Sequence, residues 1–78
     1  METGVGRAHN MALAALDGFS LPGDISASDR YWAEDIVDPP AQLADDGCLV
    51  LPDGPGIGVD VVASRVEAVE IDRWDVVA

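Results

Sequence analysis

The chain has 78 residues, of which 49% are hydrophobic and only four are aromatic. A chain of this length hides only about 60% of its unfolded surface on folding. It can therefore form at most one domain, and the core of that domain is small. Fifteen acidic residues, four arginines and no lysine give a net charge of −11. This charge argues against nucleic acid as a partner, because phosphate binding needs clustered basic side chains.

The first predicted element is a helix over residues 7–16, where apolar side chains recur at the spacing of one helical face. Asp17 and Gly18 follow it, and they predict a glycine cap at its C-terminus. Before the helix, residues 1–3 are interpreted as the end of a strand. Gly4 and Gly6 would suit the turn that joins this strand to the helix.

Residues 19–21 form a short β-like piece that ends at the turn signature Pro22-Gly23. The Ser-x-x-Asp pattern at residues 26–29 is typical of a capping box, and it predicts a helical turn over residues 30–34. We expect this turn to stop at Asp38 and the two prolines after it.

Two β-like runs, residues 41–43 and 48–51, flank an Asp-Gly turn and predict a hairpin. Residues 53–58 are irregular by composition. A second short helix is expected over residues 64–69, with Val66 and Val69 facing inward, and a closing strand is expected over residues 70–76.

The single cysteine, Cys48, excludes an internal disulfide, and its apolar neighbours predict a buried, unreactive thiol. Nothing local places His9, the one histidine, beside it. The sequence shows neither a secretory signal pattern nor an apolar run of the roughly 18 residues that a membrane span needs. We therefore expect a cytoplasmic protein that binds no membrane.

The glycines at residues 54–58 suggest a phosphate-binding loop, but a structural turn is favoured. Pro55 removes one amide donor, and no Gly-Lys-Ser/Thr follows. None of the acidic groups has the spacing of a calcium-binding loop, so a solvated surface is favoured for them. The serines lack a nucleophile elbow, so capping and turn roles are favoured for them.

Three motifs, in their order and spacing, resemble the C-terminal end of the enolase superfamily. They read METGVGRAHN at residues 1–10, LPGDISASDRYW at residues 21–32 and DGCLVLPDGPGIGV at residues 46–59. Each motif alone is weak, but the combination is specific and covers nearly the whole chain. The branch that it most resembles is the o-succinylbenzoate synthase and N-acylamino acid racemase group.

This resemblance implies an α/β fold, the C-terminal fragment of a modified TIM barrel of roughly 250 residues. Residues 1–36 would supply the end of the seventh strand, the helix after it, the eighth strand and a short helix. Residues 37–78, with the β-hairpin, would return to and pack on an α+β capping domain. Met1 would then be an internal methionine or a mispredicted start.

The resemblance also implies the chemistry of the complete enzyme. A divalent metal, usually Mg²⁺, held by three upstream acidic residues, stabilises an enolate formed when a lysine removes a proton next to a carboxylate. Because the chain has no lysine, the general base is absent, and neither a catalytic residue nor a metal ligand is expected in it. The partners would be a small carboxylate substrate and the missing N-terminal part of the barrel.

Six residues are expected beside the substrate. By resemblance, Glu2 faces the active site from the end of the seventh strand, while Thr3 and Gly4 line its rim. Asp24 and Ser26 follow the eighth strand, and Tyr31 lies near the pocket for the substrate's side chain. The position of Glu2 before a glycine-rich turn also suits the carboxyl edge of a barrel.

The first functional hypothesis is an o-succinylbenzoate synthase-like enzyme on the menaquinone route, of which this segment alone is inactive. An N-acylamino acid racemase or a muconate cycloisomerase-like enzyme is the alternative within the superfamily. A hypothesis of another class is a free-standing acidic interaction module.

Overall fold

The computed structural model describes residues 2–77. It contains two helices, one 3-10 turn and two short antiparallel strands. In chain order these are α1 (Gly4–Ala14), the 3-10 turn (Ser28–Arg30), β1 (Val37–Asp38), β2 (Asp60–Val61) and α2 (Ala63–Val69). In the sheet, Val37 is opposite Val61 and Asp38 is opposite Asp60.

Helix α1 confirms the first predicted helix, but its two ends lie elsewhere. It begins at Gly4, where the carboxylate of Asp35 accepts a hydrogen bond from the Gly4 amide. It ends at Ala14, and the predicted glycine cap at Gly18 is wrong. Ala15 closes the helix in a right-handed conformation, with its N–H bonded to the Met11 carbonyl, so no left-handed residue is needed.

The strand end predicted before α1 lies partly outside the described residues, since it includes Met1. Thr3 has an extended backbone but belongs to no strand. Among residues 2–77, the buried hydrophobic side chains are those of Ala8, Met11 and Val37. The core therefore lies between one face of α1 and strand β1, and it is very small.

The predicted hairpin is present in a reduced form. Leu43 and Leu49 form an antiparallel bridge, and the Ala44 amide donates to the Cys48 carbonyl at 2.8 Å. Gly47 supplies the turn with φ +85°, a left-handed conformation that glycine adopts without steric cost. The prediction that Cys48 is buried is wrong, because neighbours alternate faces along a strand and Leu49 takes the inner one.

The helical turn predicted over residues 30–34 instead covers Ser28–Arg30. The capping box is wrong, because Ala27 takes the N-cap position and no side chain caps the turn. The Ser28 hydroxyl instead donates a hydrogen bond to the Asp35 carboxylate, at 2.7 Å.

The second predicted helix is confirmed as α2, which begins one residue earlier, at Ala63. Val66 is half-buried, but the inward position expected for Val69 is wrong because its side chain is 62% exposed. The irregular segment at residues 53–58 is confirmed as a turn, in which the Gly58 amide donates to the Pro55 carbonyl.

The strands expected over residues 19–21 and 70–76 do not form. A strand is stable only when its backbone groups pair with a neighbour, and the described residues supply none to either segment. Their apolar side chains are exposed, as Leu21 and Ile71 show. Within residues 2–77, no helix has the length and apolar character to cross a membrane.

Candidate functional site

A polar cavity of about 330 Å³ lies beside the start of α1. It is lined by Glu2, Arg7, Asp24, Ile25, Ser26 and Tyr31. The structure therefore brings together four of the six residues expected beside a substrate, from segments more than 20 positions apart in the chain. Their contact with a substrate stays a prediction.

Thr3 and Gly4, the other two expected site residues, do not line this cavity. Thr3 takes the N-cap position of α1. Gly4 is buried against Asp35 and Val37, and it lines a separate apolar cavity of about 70 Å³ between α1 and the segment after β1.

Glu2 is held at both its backbone and its side chain. Its carbonyl accepts hydrogen bonds from the Trp32 indole at 2.9 Å and from the Arg7 guanidinium at 3.1 Å. Its carboxylate oxygens accept from the Asn10 amide nitrogen at 3.1 and 3.2 Å. These contacts fix one acidic group at the cavity.

A buried polar cluster, made of Arg7, Ser28 and Asp35, lies behind the cavity. The Arg7 guanidinium donates to the Ser28 hydroxyl at 3.5 Å and lies 3.9 Å from an Asp35 carboxylate oxygen. Asp35 also accepts from the Gly4 amide at 2.8 Å. The cluster therefore connects the start of α1 to the 3-10 turn and to the segment that precedes β1.

No pattern in the sequence predicts this cluster as a whole. Its members are 7 to 28 positions apart, so no local spacing brings them together. One feature of the sequence does point to its first member. Arg7 lies four positions before Met11, so both are on the same face of α1, and a charged residue on this apolar face is unusual. A charge on a buried face needs a partner from elsewhere in the fold.

The cavity offers hydrogen-bond donors and acceptors from its polar lining residues. His9 is exposed, with its Nδ1 atom 2.8 Å from the Val5 carbonyl, and it is not among the lining residues. Across residues 2–77, no group of three or more His, Cys, Asp or Glu side chains could hold a metal ion. The residues that the structure describes thus do not by themselves form a metal site.

Comparisons with known proteins support the resemblance that the motifs carry. No family model matches the chain. It is 52% identical over 71 residues to an N-succinylamino acid racemase of Thermus thermophilus, and the matched residues make up 91% of this chain and 19% of the relative. It is 49% identical over 67 residues to an o-succinylbenzoate synthase of Geobacillus stearothermophilus, covering 86% of this chain and 18% of that relative.

A solved structure gives the same result. The crystal structure of an enolase superfamily member from Listeria innocua matches with a TM-score of 0.78 at 52% identity, over 86% of this chain and 18% of that one. The chain therefore spans less than a fifth of the length of these relatives. The structural neighbours are TIM-barrel proteins, while the described residues hold two helices and a two-stranded sheet. The homologues and structural neighbours of this chain are members of the enolase superfamily, o-succinylbenzoate synthases and N-succinylamino acid racemases, as its motifs led us to expect.

Proposed function

We propose that this chain is the C-terminal part of an o-succinylbenzoate synthase-like enzyme and is inactive alone. The complete enzyme would dehydrate a cyclohexadiene carboxylate on the menaquinone route by metal-assisted proton abstraction. One observation carries the proposal: about half of the residues are identical to enzymes of this branch, over most of this chain but less than a fifth of theirs.

The inactivity of the isolated chain follows from its composition. Proton abstraction next to a carboxylate needs a base placed within hydrogen-bond reach of that proton, and in this superfamily the base is a lysine. The chain has no lysine. A divalent metal such as Mg²⁺ would stabilise the enolate in the complete enzyme, held by acidic residues outside this segment.

Within this proposal, the polar cavity forms one wall of the substrate pocket. Glu2, Asp24, Ser26 and Tyr31 would contact the substrate or the water around it. Arg30 supports this placement of the tyrosine, because its guanidinium carbon lies 5.7 Å from the centre of the Tyr31 ring.

A racemase of N-acylamino acids is the second candidate, since the Thermus thermophilus relative and another from an Amycolatopsis species are named N-succinylamino acid racemases. A muconate cycloisomerase-like enzyme is a third candidate in the same superfamily. Neighbouring genes for other menaquinone steps would favour the synthase, and a neighbourhood without them would weaken it.

The test uses a synthase chimera, in which this chain replaces the matching 67 residues of the Geobacillus stearothermophilus enzyme. We expect the chimera to turn over the o-succinylbenzoate precursor with Mg²⁺, and the isolated chain to show no turnover under the same conditions. Turnover by the isolated chain would overturn the argument from the missing lysine. A folded but inactive chimera would count against the proposed role of the segment.

The DNA immediately upstream of the codon for Met1 gives an independent check. An in-frame extension that encodes a Lys-x-Lys strand and three spaced acidic residues is the expected result. An upstream stop codon in frame, with no partner gene for the rest of a barrel, would contradict the proposal.

A further inference from the structure

The backbone carbonyl of Glu2 accepts two hydrogen bonds from side chains that come from different parts of the chain. Trp32 Nε1 donates at 2.9 Å from a position 30 residues away, and Arg7 Nη2 donates at 3.1 Å. A carbonyl oxygen has two lone pairs, so these two donors complete its hydrogen bonding. The backbone at Glu2 is therefore fixed from two directions, although it lies outside any helix or strand.

The donor side chains are themselves held in place. Arg7 is only 2% exposed, and its guanidinium contacts Ser28 and Asp35 within the buried polar cluster. Trp32 is half-buried and lies two residues after the end of the 3-10 turn. Its backbone amide donates a hydrogen bond to the carbonyl of Ser28, the first residue of that turn. Neither donor has the freedom of a surface side chain, so the geometry that they impose on Glu2 is rigid.

Packing alone does not account for Arg7 in this position. Its Nε atom is buried and has no hydrogen-bond partner among the described residues. A buried donor without a partner costs free energy, and apolar residues of similar volume often replace buried ion pairs without loss of stability. Besides its contacts with Ser28 and Asp35, Arg7 provides a directed donor to the Glu2 carbonyl.

We propose that Trp32, together with Arg7, is a positioning residue that holds Glu2 in the substrate pocket through the Glu2 carbonyl. The inference rests on the proposed function, which places Glu2 beside the substrate. Trp32 does not line the polar cavity, so its effect on a substrate there passes through Glu2. The effect of the two donors is to set the direction in which the Glu2 side chain leaves the backbone, towards the cavity that it shares with Asp24 and Tyr31.

The test is a Trp32→Phe substitution in the synthase chimera, because phenylalanine keeps most of the ring volume and removes the indole donor. We expect kcat to fall about tenfold with KM nearly unchanged, since a small misplacement of a substrate-positioning group can cost about 100-fold in rate. The matched control is Trp74→Phe, because Trp74 neither lines the polar cavity nor donates to the Glu2 carbonyl. This control should leave kcat unchanged.

A double substitution separates positioning from simple structural support. If Trp32 acts through Glu2, Trp32→Phe should have little further effect on kcat once Glu2→Gln is present. A structural role would instead lower kcat by the same factor with and without Glu2→Gln, or lower the melting temperature and leave kcat unchanged. Either of those results would overturn the inference.

An active chimera whose Trp32→Phe variant resembles the Trp74→Phe control would refute the positioning role alone. An inactive unsubstituted chimera would refute the proposed function, and the inference with it. Should Trp32→Phe reduce the yield of folded protein, Arg7→Lys tests the same point, because lysine keeps the charge but loses the planar fork of donors. Its kcat should also fall about tenfold by the same misplacement.

Discussion

At the scale of single residues, Gly4 is the position with the least room. A Cβ atom there would collide with Val37 Cγ2 and come within 2.9 Å of an Asp35 carboxylate oxygen. Val37 is 1% exposed, and Asp35 is held by three hydrogen bonds, so neither can move aside easily. The close approach of α1 to β1 therefore depends on the absence of a side chain at this residue.

We predict that Gly4→Ala in the synthase chimera lowers the free energy of unfolding by about 1–3 kcal/mol, the usual cost of overpacking. Gly18→Ala is the matched control, because a Cβ at Gly18 would meet nothing within 4 Å. Its effect should stay within about 0.5 kcal/mol. Urea titration measures both, and equal midpoints for the two variants would contradict the prediction.

At the scale of elements, the start of α1 is stabilised by a residue that is distant in sequence. Thr3 occupies the N-cap position without a side-chain hydrogen bond, and the first turn holds no acidic residue. The Asp35 carboxylate takes both roles, since it accepts from the Gly4 amide and places a negative charge at the positive end of the helix. Helix α1 is thus fixed to the segment before β1.

Two adjacent acidic residues test the charge that Asp35 brings to the start of α1. Asp35→Asn keeps the shape but removes the charge beside buried Arg7, so we expect a loss of about 3 kcal/mol in unfolding free energy in the synthase chimera. Glu34→Gln is the control, because the Glu34 side chain is 67% exposed and its ion pair with Arg65 lies at the surface. That control should cost less than about 1 kcal/mol. Thermal or urea denaturation measures both variants. If they lost a similar free energy of unfolding, the burial of the Arg7–Asp35 pair would be unimportant.

The elements that the sequence predicted correctly are those with a local cause. Helix α1 and helix α2 follow from apolar spacing, and the hairpin turn follows from Gly47 and the aspartate before it. Strands β1 and β2 went unpredicted because each has two residues, and their pairing joins positions more than 20 residues apart.

The same distinction applies to the candidate site. Glu2, Asp24, Ser26 and Tyr31 were expected from the family resemblance, and they line one cavity. The buried polar cluster was not predicted, because a hydrogen bond between distant residues such as Arg7 and Ser28 produces no regular spacing in the sequence. Sequence patterns report local geometry and family membership, whereas tertiary hydrogen bonds require the fold.

At the scale of the whole molecule, the chain exposes more surface than its size requires. Its accessible surface is 6201 Å², whereas a compact protein of 8.1 kDa exposes about 4,500 Å². Its radius of gyration is 14.0 Å, against about 11.5 Å for a compact domain of this length. The excess includes large apolar side chains at more than half exposure, among them Leu21, Ile71 and Trp74.

We therefore predict that the isolated chain is poorly ordered or aggregates in solution. Its apolar faces and unpaired backbone groups invite association with other chains, and its core is too small to offset the entropy of folding. Circular dichroism and the dispersion of amide resonances would measure this. A cooperative, well-dispersed monomer would instead favour the free-standing acidic module.

The buried polar cluster has a consequence for recombination between related genes. Arg7, Ser28 and Asp35 are joined by one ion pair and two hydrogen bonds across 28 positions of the chain. A crossover between Arg7 and Ser28, with a parent that lacks Arg7 or Asp35, would leave a buried charge without its partner. A crossover after Asp38 keeps the set intact, so the first half of this segment should be inherited as one block.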